Sequence, residues 1–292
     1  MNGAEPLYYV ATPVFFVLMA AEAFAARRRR QRYFRRADTW ADLAMGVGNR
    51  VIEIGWVFVE VAVLSRLHRL SPWDLGTTWE SWAVALVGVD FVYYWYHRTH
   101  HEVRVLWASH VVHHSSEEYN LAVALRQPWL VMTWLPFLMP LALVGVPVKV
   151  LAISYAINLF FQFGIHTRVV GKLPRWFEFV FNTPSHHRVH HGSNRQYLDR
   201  NYAGILMVWD RMFGTFEPEG DAVVFGLTKN IHTTNPLAIA THELRAIARD
   251  VRAASTVGDK VRHLVKGPGW QPVAPAGLQL AAAAHPAEVG AH

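Results

Sequence analysis

The chain contains no cysteine. That removes disulfides, thiolate nucleophiles, cysteine-based zinc sites and iron–sulfur clusters from consideration. Three familiar catalytic signatures are also missing. There is no H-E-x-x-H motif, no G-x-S-x-G nucleophile elbow and no glycine-rich phosphate loop. Metalloprotease, serine hydrolase and ATPase chemistry therefore lack their residues. The Glu and Glu-x-x-His pattern of carboxylate-bridged di-iron bundles is absent too. No Lys or Arg precedes the first apolar stretch, Leu7–Ala26, where a secretory signal would carry its charge. No repeat of the solenoid kind is present. Charged residues make up 17% of the chain against 52% hydrophobic, a balance rich in apolar groups for a soluble protein.

What is present first is a bilayer pattern. The net charge is +6, but much of the basic charge sits in one block: Arg27, Arg28, Arg29, Arg30, Arg32, Arg35 and Arg36. The block directly follows Leu7–Ala26. A basic run beside an apolar span marks the cytoplasmic side of a membrane, and this placement argues against nucleic acid as the partner. Leu7–Ala26 reads as a retained membrane helix with its N-terminus outside. About 20 apolar residues cross the hydrocarbon core. Asp42–Leu64 is long enough but carries Asn49, Arg50, Glu53 and Glu60. Such groups face a protein interior or mark a helix partly at the interface. Trp79–Tyr96 carries one charge in its interior, Asp90, besides Glu80 at its start. Leu130–Val148 and Val150–Ile165 form an apolar pair broken around Gly145, Val146 and Pro147, which is either a tight hairpin or a re-entrant pair.

With the arginine block in the cytoplasm, alternating spans bring His97–His114, His166 and His187–His191 out on that same side. Arg98, Arg104, Arg126, Arg168, Lys172, Arg175 and Arg188 land there as well, in accord with the positive-inside rule. The expected fold is all-α: a polytopic integral membrane helical bundle with a cytoplasmic histidine-rich helical cap. Its expected parts are N-terminal membrane helices with a basic loop (1–78), a catalytic core (79–217), a cytoplasmic amphipathic region (218–266) and a disordered tail (267–292). Within the third part, Thr241–Lys266 reads as one amphipathic basic helix, packed under the cytoplasmic domain or lying on anionic lipid.

The chain has 17 histidines, and most fall in two short stretches. His97 and His101 are four apart, so on a helix they share a face. His110, His113 and His114 lie at i, i+3 and i+4. His187, His190 and His191 repeat that spacing, and His166 stands between the sets. Neutral imidazole is the commonest side-chain ligand for transition metals. So many imidazoles without a metal would leave buried nitrogens unpaired, or repel one another when protonated. The set exceeds one ion's coordination sphere, and two ions are the economical answer. Ligand type leaves zinc, copper, iron and nickel open. Asp90 is a candidate acceptor behind an imidazole N–H, or else an anchor between helices. Glu102, Asn120 and Gln162 are further candidates to support the ligands, and Gln162 is also a candidate ligand, directly or through a water. His100 and His186 read as surface or supporting residues. His68, His232, His242, His263, His285 and His292 are isolated and read as non-ligands. Trp95, Trp107, Trp129 and Trp134 read as membrane-interface belt residues in preference to a tunnel lining.

H-x-x-x-H, H-x-x-H-H and a later H-x-x-H-H resemble the three boxes of the fatty acid hydroxylase/sterol desaturase superfamily. The strings DFVYYWYHRTHHEVRVLWASHVVHHSSEEYN, QFGIHT and NTPSHHRVHHGSNRQYLDRNYAGILMVWDRMFGTF are similar to its alkylglycerol monooxygenase branch. The resemblance spans roughly Trp79 to Phe216. It implies an integral membrane, O2-dependent oxidoreductase with two ferrous ions and an external electron donor, acting on a C–H bond of a lipid. That branch hydroxylates the carbon beside an ether oxygen of glycerol ether lipids. It further implies His97, His101, His110, His113, His114, His187, His190 and His191 as metal ligands and catalytic residues, with His166 as a ninth ligand. A desaturase on the same scaffold, or a membrane metal carrier, are the competing readings. Carriers place ligands at mid-membrane, whereas these boxes sit at the ends of the spans. The implied partners are a membrane lipid and a redox protein; the sequence is silent on oligomeric state.

Overall fold

The computed structural model describes residues 5–272, with side chains from Thr12 onward. The tail expected over 267–292 therefore falls largely outside the described residues, as do His285 and His292. All regular elements among those described are helical. Two isolated bridges, Phe181 with Leu206 and Gly192 with Phe225, are the sheet-like pairings among them.

Three helices open the chain: α1 (Glu5–Arg28), α2 (Arg36–Leu70) and α3 (Trp79–Glu102). Their length follows from long apolar runs, and α1 continues through Pro13. α2 has 35 residues, about 52 Å of helix. α3 starts where the Thr78 hydroxyl accepts the Ser81 N–H at 3.4 Å, the side-chain cap expected of Thr at that position. It ends at Val103, whose extended backbone (φ −118°, ψ 113°) redirects the chain into α4 (Arg104–His114).

Leu130–Val148 does not form one span. A 3-10 turn, Val131–Trp134, leads into the short α5 (Leu135–Leu143), with Pro136 and Pro140 inside it. This apolar arm has 13 residues, about 20 Å, too short for a hydrocarbon core of about 30 Å. α6 (Val148–Ile165) returns antiparallel from a turn at Gly145. Gly145 adopts φ +91°, and a Cβ there would meet the Trp73 carbonyl oxygen at 2.5 Å. Only glycine satisfies both conditions. The Leu75 N–H donates to the Gly145 carbonyl at 2.9 Å, so this turn sits at the α2–α3 connection. Among the described residues, α6 is the one helix both long and apolar enough to cross a membrane.

The main apolar core joins α2, α3, α5 and α6 through Leu64, Ala85, Val89, Tyr93, Leu138 and Leu151. A second cluster, Ala41, Met45, Val112 and Ile239, ties α2 and α4 to α10 (Pro236–Ala253). Between α6 and α10 lie α7 (Arg175–Val180), α8 (Pro184–His190) and α9 (Val208–Phe213). The single helix expected over Thr241–Lys266 is two, because α10 ends at Ala253 and α11 (Val257–Val265) starts afresh. Thr256 explains the break: its hydroxyl accepts the Asp259 N–H at 3.0 Å and donates to the Asp259 carboxylate at 2.7 Å, a capping arrangement. α10 packs under α4, with Ile239 and Ile247 buried. Arg104 of α4 fixes it through Glu243 and Asp250, each at 2.7 Å.

Candidate metal centre

The histidine boxes converge at the end of the bundle opposite Gly145. His97 and His101 close α3, His110, His113 and His114 close α4, and His166 caps α6. His187 and His190 lie on α8, with His191 at its C-cap. α8 has seven residues, all buried. A helix that short is unstable alone, so its neighbours hold it. The nine rings fall into two sets whose ligand nitrogens lie within 4.8 Å of one another. One set is His97, His101, His110, His114 and His190; the other is His113, His166, His187 and His191. The sets adjoin, with the His114 and His191 rings stacked at 4.4 Å.

Backbone carbonyls decide which nitrogen of each ring bears hydrogen. A carbonyl only accepts, so a ring nitrogen bonded to one must be the donor. His97 Nδ1 donates to the Tyr202 carbonyl (2.8 Å), His166 Nδ1 to Gln162 (2.6 Å), His190 Nδ1 to Arg200 (3.0 Å) and His113 Nδ1 to Arg126 (3.3 Å). In a neutral ring the Nε2 atom is then a bare lone pair. His166 Nε2 and His113 Nε2, both bare, face each other at 3.0 Å. Lone pairs at that distance repel unless a cation lies between them. With metal–nitrogen bonds of about 2.1 Å, adjacent ligands on one ion stand roughly 3 Å apart. The other close nitrogen pairs agree: His97–His110 at 2.8 Å, His187–His166 at 2.9 Å and His114–His110 at 3.2 Å. The Nε2 atoms of His101, His190 and His191 are buried without a partner. The donor set fits two ions.

The electrostatics agree with neutral ligands. Burial, reinforced by neighbouring imidazoles, holds His97, His110, His114, His190 and His191 well below the ordinary histidine range. Burial alone takes His166 down to about 4, against the opposing Gln162 carbonyl. Two charged rings about 4 Å apart would repel by about 4 kcal/mol at an effective dielectric of 20. Protonation of this cluster is thus disfavoured, and imidazole binds metal in the form that results.

Residues 82–215 match the family model described as "Fatty acid hydroxylase". The chain is 43% identical over 274 residues to alkylglycerol monooxygenase of Homo sapiens, an alignment covering 91% of this chain and 60% of that protein. It is 41% identical over 272 residues to the Xenopus tropicalis protein of that name, with the same coverage of 91% and 60%. It is 30% identical over 155 residues to ornithine lipid hydroxylase OlsE of Rhizobium tropici, covering 51% of this chain and 46% of that one. The chain carries a fatty acid hydroxylase domain over residues 82–215. It spans about three-fifths of the length of the alkylglycerol monooxygenases it matches. No solved structure matches it.

Around this centre the supporting residues differ from those the sequence suggests. Asp90 touches no imidazole. Its carboxylate accepts the N–H groups of Ile205 (2.7 Å), Leu206 (3.0 Å) and Trp209 Nε1 (2.9 Å) and the Asn158 amide (2.8 Å). It is the anchor, tying α3 to α6 and to the segment after the third box. Gly204 lets that segment approach, since a Cβ there would lie 2.8 Å from the Asp90 carboxylate. Glu102 points outward and pairs with Arg98 at 2.8 Å, because one step from His101 turns the side chain about 100° around the helix. Asn120 caps the turn Leu121–Leu125 and donates to the Tyr33 carbonyl. Gln162 supports His166 through its carbonyl, while its side chain donates to Asn158 at 2.5 Å. His186 and His100 belong to neither set. Both are buried, not on the surface: His186 packs on Phe216, and His100 bonds the Tyr96 carbonyl at 2.6 Å. His68, His232, His242 and His263 also lie in neither set.

Of the four tryptophans, Trp134 is too deeply buried to belong to an interface belt. Trp134 is buried against Tyr93, Tyr96 and Tyr155. Trp107 packs on His101 and His114, Trp95 on Phe213, and Trp129 donates to the Met45 carbonyl.

Two supports went unread. One is the loop Asp199–Tyr202, which supplies carbonyls to His97 and His190. Asp199 and Asn201 there hold φ +59° and +57°, the left-handed region that Asp and Asn tolerate best after glycine. Asp210 clamps this loop, accepting the N–H groups of Tyr202 and Ala203, each at 2.8 Å. The other is Arg126, 1% exposed, bonded to Asp38 and Asp42 at 2.6 Å each and to the Ser115 hydroxyl at 3.0 Å. The pair of left-handed-tolerant residues in L-D-R-N-Y was the readable trace of the loop. Two aspartates four residues apart at the start of α2, Asp38 and Asp42, were the trace of the ion pair.

Proposed function

We propose that this chain is an integral membrane di-iron monooxygenase that hydroxylates a C–H bond of a lipid, with the carbon beside an ether oxygen of a glycerol ether lipid as the preferred target. The observation that carries the metal reading is the facing pair of bare nitrogens on His113 and His166. Relatives named as alkylglycerol monooxygenase and ornithine lipid hydroxylase support the lipid substrate and the oxidation. A pair of iron ions bound there would supply O2 activation and the redox chemistry for an unactivated C–H bond, with electrons from an external donor.

The chain's own residues do the rest. The nine imidazoles act as ligands, five on one ion and four on the other. Carbonyls of Tyr202, Arg200, Gln162 and Arg126 hold the rings in the tautomer that presents Nε2 inward, as backing acceptors do in metal sites generally. Tyr93, Trp107 and Tyr119 pack against the rings and keep bulk water out. We take residues 79–217 as the catalytic core, which contains the matched family region.

We further propose a multi-pass bundle with the metal centre just inside the cytoplasmic face. Exposed large apolar side chains recur on α1, α2, α3 and α6, among them Phe24, Val51, Phe58, Val87 and Phe160. Exposed tryptophans stand at both ends, Trp73 and Trp79 at one, Trp40 and Trp176 at the other. From Trp79 to His97 α3 advances about 27 Å, close to the hydrocarbon thickness. The arginine block follows α1 at the histidine end, which supports the cytoplasmic side. With no native cysteine, a single Gln31→Cys variant reports sidedness by impermeant thiol labelling.

The decisive experiment supplies the iron-loaded full chain with an alkylglycerol, a reductant and isotopically labelled O2. One labelled oxygen in the product is expected. Absence of any O2-dependent product sinks the proposal, and a product two hydrogens lighter without oxygen makes the protein a desaturase.

A further inference from the structure

At the same end of the molecule, beside the metal centre but outside it, a cavity of about 250 Å³ lies between α7, α8 and α9. Lys172, Arg175 and Arg211 line it. Two carboxylates line it as well, but both are occupied. Glu219 takes both arms of Arg188 at 2.7 Å, and Glu178 accepts the Leu173 N–H and the Thr183 hydroxyl. The three cations are bonded only to neutral groups or to none. Arg211 donates to the main-chain carbonyls of Phe179 and Glu178, and Lys172 to that of Glu219. Arg175 is exposed and has no ion-pair partner among the described residues. The cavity therefore carries a net positive charge, three cations against Glu178 and a Glu219 that is itself paired with Arg188.

A second observation points to a ligand. His186 also lines the cavity, is 3% exposed, and its Nδ1 has no hydrogen-bond partner. Buried polar atoms are normally paired, so this nitrogen is free to bond a group seated in the cavity.

We propose that the cavity seats the phosphate of a phosphate-bearing lipid headgroup. This rests on the lipid-oxidation reading above and adds a headgroup class to it. Arg and Lys are the usual phosphate partners. The volume lies below the roughly 300–1,000 Å³ of pockets that enclose drug-sized ligands, so it suits a headgroup and not a whole lipid. Trp176 and Phe179, 72% and 62% exposed, flank it on α7 as interfacial aromatics do. α8 links the cavity to the centre, since His186 directly precedes the metal-set residue His187. A lipid held here by its head lies beside the ions.

The test uses the iron-loaded full chain in nanodiscs. Equilibrium binding of a 1-O-alkylglycerol 3-phosphate and of the matching 1-O-alkylglycerol is measured anaerobically, without reductant. The wild type is expected to prefer the phosphate form by about tenfold, the scale of one charge-assisted bond. Arg175→Glu is expected to erase that preference, and Arg175→Lys to keep most of it. Equal affinity for both lipids in the wild type, or a preference that survives Arg175→Glu, overturns the assignment. Inorganic phosphate that displaces the phosphate-bearing lipid at equal concentration makes this a free-anion site and also overturns it. A preference that persists while neither lipid is oxidised leaves the headgroup assignment standing and removes the oxygenase reading.

Discussion

Behind the five-histidine set, the supporting carbonyls come from one short loop, Asp199–Tyr202. Behind the four-histidine set, they come from Gln162 at the end of α6 and from Arg126, whose side chain is bonded into α2. The first set therefore depends on a local backbone conformation, closed by Asp210 within a few residues. The second depends on how separate helices pack. Damage to the loop should loosen one ion and leave the fold standing, whereas damage behind the second set should cost the whole bundle.

The ligands themselves provide the largest expected effect. His190→Ala and His191→Ala remove one imidazole from each set. Both are expected to abolish turnover while the protein still inserts and folds. Bound iron should fall from two per chain toward one, and spectroscopy of the remaining ion should differ between the variants. Normal activity in either variant removes that ligand. Identical residual spectra would dissolve the division into two sets.

Next comes Arg126→Met. It strands Asp38 and Asp42, both nearly inaccessible to water. Removing one partner of a buried ion pair costs roughly 3–5 kcal/mol. Chemical unfolding in detergent should show a loss of that size, and Asp38→Asn with Asp42→Asn added to Arg126→Met should restore most of it. A loss under about 1 kcal/mol would mean the network behaves as a surface pair and that the second set has other support.

Asp210→Asn tests the first set. An amide in that position cannot accept both the Tyr202 and Ala203 N–H groups as a carboxylate does. The expectation is a loss of roughly 10–100-fold in metal affinity, typical of an altered support behind a ligand. It should fall on the five-histidine ion, measured by competitive chelation, with little change in unfolding. Equal weakening of both ions would contradict the contrast between loop and bundle.

These supports also mark where the sequence stops being legible. Eight of the nine proposed ligand positions could be read because i, i+3 and i+4 spacing survives folding as one face of a helix. His166, off any such pattern, is implied as a ligand by the family resemblance, and its place at the end of an apolar span puts it on the same side as the boxes. The carbonyls that hold the rings left little trace, because every residue carries one and the backbone path decides which is used. The fold was legible as a set of apolar helices. It was not legible that Pro136, Pro140 and the Gly145 turn would shorten one arm below a membrane's thickness, or that Thr256 would start a new helix. Asp90 reads in the sequence as an acceptor behind an imidazole or an anchor between helices, and its carboxylate goes instead to a loop more than a hundred residues away and to Asn158.

Glu102 gives the smallest expected effect, and a near-zero result there sharpens the comparison. It follows the first box directly, which makes it an attractive supporting residue in the sequence. Its side chain is 46% exposed and bonded to Arg98 four residues earlier. An exposed pair of this kind contributes about 0–1 kcal/mol, and the carboxylate bonds to no ring. Glu102→Gln is therefore expected to keep its iron, its turnover and its unfolding midpoint within error. A clear loss of iron would mean that the carboxylate acts on His101 through the field it adds beside the ring. The first set would then be held partly by surface charge, and Asp199, 3.7 Å from His101 Nδ1, would be the next residue to change.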